Sequence, residues 1–241
     1  MRFRLLSYNI HKGIGGVDRR YDLDRVIQAI AHYQPDVAFL QEVDEGVPRS
    51  RRHQQCQELA LALGFSHQLF QSNVTLKEGS YGNAILSHFP LDNRHDVELT
   101  VPLKKRRRGL ATHCHVHRNG HTRTVRLINV HLGLAGYERA IQTRRIVSSN
   151  PVTGANRATP LIVGGDFNDM WNQLGPKLLL PQGFHPVVGA HKTFPAAYPV
   201  STLDRIFYRG KMRLHHAYTG ATQVAQVASD HLPVIADFEL F

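Results

Sequence analysis

Leu161-Ile162-Val163-Gly164-Gly165-Asp166-Phe167-Asn168 joins an apolar run and two glycines to a carboxylate and an amide. A short uninterrupted apolar run marks a strand buried on both faces, as happens where a sheet is covered on both sides. The polar residues at its end then sit on the sheet's rim, where several strands can aim side chains into one cleft. Outward from this stretch the arrangement recurs. Residues 3–10 read as a strand ending Ser7-Tyr8-Asn9, and Val37-Ala38-Phe39-Leu40 leads into Gln41-Glu42. Tyr81-Gly82-Asn83 opens the strand Asn83–Ser87, and Thr122–Val130 runs through Asn129 to His131. Leu203-Asp204 and Ser229-Asp230-His231 border strands near Leu203–Tyr208 and Pro233–Phe238.

Helices separate these strands. Asp22 to Gln34 carries Val26, Ile27, Ile30 and Ala31 at the spacing of a buried stripe and is stopped by Gln34-Pro35-Asp36. A second helix runs from about Arg52 to Leu63 and ends at Gly64, and others are predicted at Tyr137–Ser149 and Trp171–Leu179. From Phe65 to Val130 helical periodicity gives way to strands at Phe65–Phe70, Asn83–Ser87, Arg94–Thr100, Gly109–His117 and Thr122–Val130. His117-Arg118-Asn119-Gly120 is a hairpin turn between the last two, so this region pairs antiparallel. Strand, helix, strand, helix and meander occur first in one half and then, more loosely, in the other. Two sheets packed face to face with helices outside satisfy that order, and without a linker one domain over residues 1–241 is expected.

Twenty-nine Lys plus Arg stand against 19 Asp plus Glu, a net charge of +10, which favours anionic partners such as nucleic acid or a phospholipid surface. Apolar runs fall short of the roughly 20 residues of a spanning helix, and the amino terminus lacks a signal peptide's apolar stretch, so residence in the cytoplasm is expected. Cys56 and Cys114 match no zinc spacing and read as buried thiols. Of the 16 histidines, scattered ones such as His67, His185 and His191 read as solvated or structural.

The strand ends bring four carboxylates, Glu42, Asp166, Asp204 and Asp230, two amides, Asn9 and Asn168, and two imidazoles, His131 and His231. Oxygen donors without thiolates suit Mg²⁺, Mn²⁺ or Ca²⁺. Taken singly each has a plainer reading. Glu42 alone is a solvated strand end, Gly164-Gly165-Asp166 a turn with a helix cap, and Asn9 and Asn83 turn residues. Their joint recurrence is what points to a site.

In order, Tyr8-Asn9, Gln41-Glu42, Gly82-Asn83-Ala84-Ile85-Leu86-Ser87, Asn129-Val130-His131-Leu132, Gly165-Asp166-Phe167-Asn168, Leu203-Asp204-Arg205-Ile206 and Ser229-Asp230-His231-Leu232-Pro233-Val234 resemble the endonuclease/exonuclease/phosphatase superfamily. The resemblance spans residues 7–235. It implies a four-layered α/β sandwich, two packed mixed sheets flanked by helices, with a divalent-metal phosphodiesterase site at the strand ends. Position by position it makes Glu42 the metal ligand, with Asn9 beside it and Asp204 and Asp230 completing the acidic cluster. Asp166 and Asn168 orient or activate the attacking water. His231 stands at the scissile phosphate, with Asp204 or Asp230 setting its tautomer, and His131 occupies the place used by the deoxyribonuclease I-like and sphingomyelinase-like branches and is available to protonate the leaving oxygen.

For the substrate, Lys104-Lys105-Arg106-Arg107-Arg108 has the plain reading of a solvated edge loop. The resemblance picks out Arg108 as a phosphate contact, with Asn83 and Tyr81 on the neighbouring strand end. Arg49, Arg51 and Arg52, soon after Glu42, match a basic loop that reaches DNA in the deoxyribonuclease-like branch. The function expected is a metal-dependent, sequence-nonspecific nuclease acting on DNA in preference to RNA. The alternative is a phosphodiesterase of anionic or other phospholipids, and a non-catalytic nucleic-acid binder ranks last because no catalytic position is substituted.

Overall fold

Each half of the chain contributes one parallel strand pair, and antiparallel strands extend both pairs into sheets. A computed structural model describes residues 1–189 and 192–241; His191 lies outside the described residues. The chain runs β1 (Arg2–Asn9), α1 (Leu23–Tyr33), β2 (Val37–Glu45), α2 (Gln55–Leu63), β3 (His67–Thr75) and β4 (Ser80–Ser87). It then crosses to the second sheet for β5 (Leu91–Glu98), β6 (Arg108–Arg118), β7 (His121–His131), α3 (Gly136–Ser148), α4 (Asn150–Thr153), β8 (Leu161–Asp166), β9 (His185–Pro186) and β10 (Asp204–Arg209). β11 (Met212–Thr219), α5 (Gln223–Ala228) and β12 (Val234–Leu240) return to the first. The two six-stranded sheets have the orders β11-β12-β1-β2-β4-β3 and β5-β6-β7-β8-β10-β9. β1–β2 and β7–β8 are parallel; every other pair is antiparallel.

Local chemistry sets the boundaries. The Asp22 carboxylate accepts from the Asp24 and Arg25 amides at 3.1 and 3.4 Å and caps α1, and Gln34 turns left-handed before Pro35 to end it. α2 closes on Gly64 at φ 72°. The β6–β7 hairpin turns on Asn119 and Gly120, both with positive φ, the geometry whose twist matches that of the flanking strands.

Three apolar clusters make four layers. Phe3, Leu5, Phe39, Ile85 and Phe238 of the first sheet meet Leu110, Val116, Leu127, Ile162 and Ile206 of the second between the sheets. Leu6, Tyr8, Leu40, Val26, Ile30 and Leu59 bury the outer face of the first sheet under α1 and α2. Ile128, Val130, Val163, Ile146 and Phe167 do the same for the second under α3. Alternation along the central strands β1, β2, β4 and β8 thus has two apolar sides, which is why they read as apolar runs, whereas the edge strands β5 and β11 are more polar and more exposed.

The helix expected over Trp171–Leu179 is instead a single π-helical turn at Gly175–Leu179, leaving Trp171 exposed on the preceding loop. Pro176 there lacks the N–H a longer helix would need. Strand β2 runs five residues beyond the predicted Leu40, to Glu45. Cys56 and Cys114 are buried free thiols pushed up to about 12 by burial, chemically quiet as expected. Among the described residues no helix is long and apolar enough to cross a membrane.

Candidate active site

The parallel pairs make convergence unavoidable, because parallel strands end on the same rim. Register sets Asn9 beside Gln41 and His131 beside Asp166, and antiparallel β10 begins with Asp204 opposite Asp166. The sheets are bolted together just beneath this rim. Asn129 accepts from the Gln41 amide at 2.7 Å and donates to the carbonyls of Leu40 and Ala84, both at 2.9 Å. Gly165, at φ 138°, lets β8 close on β7, since a Cβ there would lie 1.9 Å from the Val130 carbonyl oxygen. Glu42 is the bulged residue of β2, where the register against β4 slips, and its φ of 56° is left-handed. A bulge re-aims one side chain without disturbing its neighbours, and such backbone costs of order 1 kcal/mol.

Asp166 is the hub. Its Oδ2 accepts from the Asn9 amide at 3.0 Å and lies 3.5 Å from His131 Nε2 and 3.8 Å from His231 Nε2, while Oδ1 accepts from the Asn168 backbone at 2.9 Å. His231 Nδ1 bonds the Asp204 carboxylate at 2.8 Å, and Asp204 Oδ1 is buried without a partner among the described residues. His131 Nε2 is 4.0 Å from Glu42 Oε1, so one chain of groups runs from Glu42 through His131, Asp166 and His231 to Asp204.

Burial and charge divide the protons unequally. Burial works against a charged His231, but Asp204 and then Asp166 outweigh it and raise the imidazolium to about 10. His131 moves the other way, held well below its ordinary value first by burial and then by the Arg107 guanidinium. Burial raises the Asp166 carboxyl to about 6, with His231 opposing and Asp204 adding to the rise. Glu42 would also be raised by burial, yet the Lys12 ammonium standing against it keeps it an ionised carboxylate. Near neutral pH the constellation therefore carries an imidazolium at His231, a neutral imidazole at His131, a carboxylate at Glu42 and an easily titrated acid at Asp166.

The sequence profile described as "Endonuclease/Exonuclease/phosphatase family" matches residues 6–231, almost the whole chain. The chain belongs to the Endonuclease/Exonuclease/phosphatase family. Members of this family are hydrolytic enzymes acting on phosphoester bonds. The chain is 26% identical over 258 residues to YbhP of Escherichia coli (strain K12), described as uncharacterized, covering 99% of this chain and 96% of YbhP. The crystal structure of an endonuclease/exonuclease/phosphatase from Beutenbergia cavernae DSM 12333 is similar in fold, with a TM-score of 0.82 and 23% identity over 99% of this chain and 72% of that one. So is ANGEL2, described as a 2',3'-cyclic phosphatase, in complex with adenosine-2',3'-vanadate, at a TM-score of 0.74 and 18% identity over 100% and 96% of the two chains.

The other residues that carried the family likeness fall in three places. Asn168, left-handed at φ 50°, donates its amide to the Leu132 carbonyl at 2.9 Å and stands at the hub. Asp230 has its Oδ1 3.8 Å from His11 Nδ1 and its charge adds to the rise of His231. Arg108, the predicted phosphate contact, is already engaged: it pairs with Asp96 at 2.7 Å and donates to the Ser72 carbonyl. Asn83 donates to the Arg108 carbonyl at 3.0 Å and keeps its own Oδ1 buried without a partner among the described residues. The Tyr81 ring has the Arg49 guanidinium 5.2 Å from its centroid, and Arg51 lies over Tyr21 at 5.7 Å.

Three residues at the site were not singled out by the sequence reading. Lys12 contacts Glu42 Oε2, His11 reaches toward Asp230, and Arg107, rather than Arg108, is the guanidinium that bears on His131. Among the described residues no carboxylate pairs with Arg107, whose Nε is buried without a partner. The available signal was adjacency, since His11-Lys12-Gly13 comes one residue after the strand that ends in Asn9.

Two places suit a cation. Asp166, Asp204 and His231 offer ligand atoms all within 4.8 Å of one another, but His231 Nδ1 is bonded to Asp204 and the imidazolium already supplies the positive charge there. Glu42 is the better hard-metal carboxylate, because the Lys12 ammonium already stands against it as a cation would. Beside the site, a groove of about 830 Å³ runs past Trp171, Met170, Val200, Arg205 and Leu232, with Trp171 75% exposed.

Proposed function

We propose that this chain is a divalent-metal-dependent phosphodiesterase and that its substrate is nucleic acid, DNA before RNA, cut without sequence preference. The observation that carries the chemistry is the buried Asp204–His231 pair, 2.8 Å apart, aimed at Asp166 across 3.8 Å. Glu42 would hold Mg²⁺ or Mn²⁺, with Asn9 and Asp230 as neighbours; the donors are oxygens without a thiolate, the set hard dications prefer. A dication held there would supply positive charge against the nonbridging phosphate oxygens and the departing alkoxide.

The chain's own residues do the rest. Asp166, its carboxyl at about 6 and held by Asn9 and Asn168, takes a proton from the attacking water. His231, fixed by Asp204 through Nδ1, presents Nε2–H to a phosphate oxygen; it, and not His131, is the charged imidazole in this structure. His131, neutral and buried, accepts or orients. Arg107 and Arg49 are the guanidiniums at the rim, and a net charge of +10 draws a polyanion toward them.

A second reading has its own observation. Met170, Trp171, Tyr198 and Val200 are 58, 75, 78 and 52% exposed, an apolar margin that also fits a phospholipid at a membrane surface. The deciding experiment incubates the purified chain with supercoiled plasmid, and separately with sphingomyelin and cardiolipin vesicles, in Mg²⁺ or Mn²⁺. Nicking that EDTA stops, lowered about 10²–10⁴-fold in His231→Ala and Asp166→Ala while circular dichroism is unchanged, is the expected result. Headgroup release with plasmid intact moves the substrate to phospholipid, and near-normal rates in the folded variants sink the residue assignments.

A further inference from the structure

Lys12 is held where lysine seldom sits. Its backbone is left-handed at φ 63°, and its carbonyl accepts from the Gln55 side chain at 2.8 Å. The same Gln55 side chain accepts from the Asp44 amide at 2.7 Å, so α2 ties the Lys12 turn to β2 two residues beyond Glu42. Through this clamp the ammonium meets Glu42 Oε2, with the two side chains only 17% and 19% exposed. The neighbouring guanidinium cannot take its place, because Arg49 is held by both oxygens of Asp44 at 2.8 Å. The ammonium also lies over the face of Tyr81, 6.0 Å from the ring centroid.

A dication and an ammonium cannot share one half-buried carboxylate without strong repulsion. Resting on the reading that Glu42 carries the metal, we propose that Lys12 is a resident counter-cation that the metal displaces and that then takes a nonbridging oxygen of the substrate phosphate. The exchange is reciprocal. Metal at Glu42 frees Lys12 for the phosphate, and phosphate draws Lys12 off Glu42, so each must favour binding of the other. Without substrate the site then holds metal weakly.

The test needs no turnover. Mn²⁺ binding to the full chain is titrated by electron paramagnetic resonance, with and without dimethyl phosphate, for wild type, Lys12→Met and Glu42→Gln. Wild type is expected to bind Mn²⁺ at least about fivefold more tightly when dimethyl phosphate is present. Lys12→Met is expected to bind Mn²⁺ alone about tenfold more tightly than wild type and to lose the dimethyl phosphate effect. A merely structural lysine has the opposite sign: its loss leaves metal binding unchanged or weaker, and either outcome overturns the proposal. Should Lys12→Met fail to fold by circular dichroism, the wild type alone decides, since Mn²⁺ affinity indifferent to dimethyl phosphate overturns it equally. Mn²⁺ binding that survives Glu42→Gln overturns the metal assignment itself, and this exchange with it.

Discussion

Replacing Asp204 with asparagine keeps the shape of the buried pair and removes the charge on which His231 depends. In the folded chain the imidazolium stands at about 10 against an ordinary 6.5, which corresponds to roughly 5 kcal/mol in favour of the charged ring. That is the surplus left after burial has worked against the charge, and Asp204 is its largest source, ahead of Asp166 and Asp230. A raised pKa stabilises the fold fully below the ordinary value and ceases to do so as pH climbs through about 10. The loss in Asp204→Asn is therefore largest near pH 6 and shrinks toward pH 10. Breaking one partner of a buried ion pair costs about 3–5 kcal/mol, and for a chain of this length each kcal/mol lowers Tm by about 2–4 °C. A fall of roughly 6–20 °C near pH 6 is expected. The ring itself is read by ¹H–¹⁵N correlation of the imidazole nitrogens from pH 5 to 11: His231 stays protonated at pH 8 in wild type and is neutral there in Asp204→Asn. A wild-type His231 that titrates at its ordinary value, or a variant whose ring titrates as wild type does, refutes the reasoning.

Two further perturbations probe the support of the site. Asn129→Leu strands the Gln41 amide and the carbonyls of Leu40 and Ala84 between the sheets, and at about 1–3 kcal/mol per unsatisfied group urea unfolding is expected to show a loss of about 3–9 kcal/mol; a loss below 1 kcal/mol would mean the amide bridge is not a fastener. Arg107→Ala and Arg108→Ala should separate cleanly. The former is expected to raise KM for a phosphodiester about tenfold at unchanged Tm and to let the His131 ring titrate higher, while the latter lowers Tm by releasing Asp96. Equal effects on KM would return Arg108 to the substrate.

The rim residues were legible because each follows an apolar run, and a buried strand must end where polar groups reach solvent. Gly64 and Asn119-Gly120 were legible for a simpler reason, that few residues tolerate left-handed backbone. Trp171–Leu179 was misread because its apolar spacing imitates a helix, while Gly175-Pro176 allows only one turn. β9 and α5, of two and six residues, are too short for periodicity to register. Arg108 was preferred to Arg107 by likeness. Arg107 lies on the loop just before β6 and Arg108 opens that strand, so which of the two adjacent cations meets the site depends on where the strand begins, to which a run of five cations offers no clue.

By itself the sequence settled the alternation of buried strands and helices, the family likeness, and the eight polar residues at strand ends, because these are properties of short segments. Only the tertiary structure decided which groups share protons and charge. Asn9 meets Asp166 across 157 positions of sequence, and His231 is charged while His131 is neutral because one lies between two carboxylates and the other is buried, with the Arg107 charge adding to that effect. Lys12 against Glu42 is the same kind of fact. Electrostatic energy depends on distance and burial, and both exist only once the chain has closed on itself.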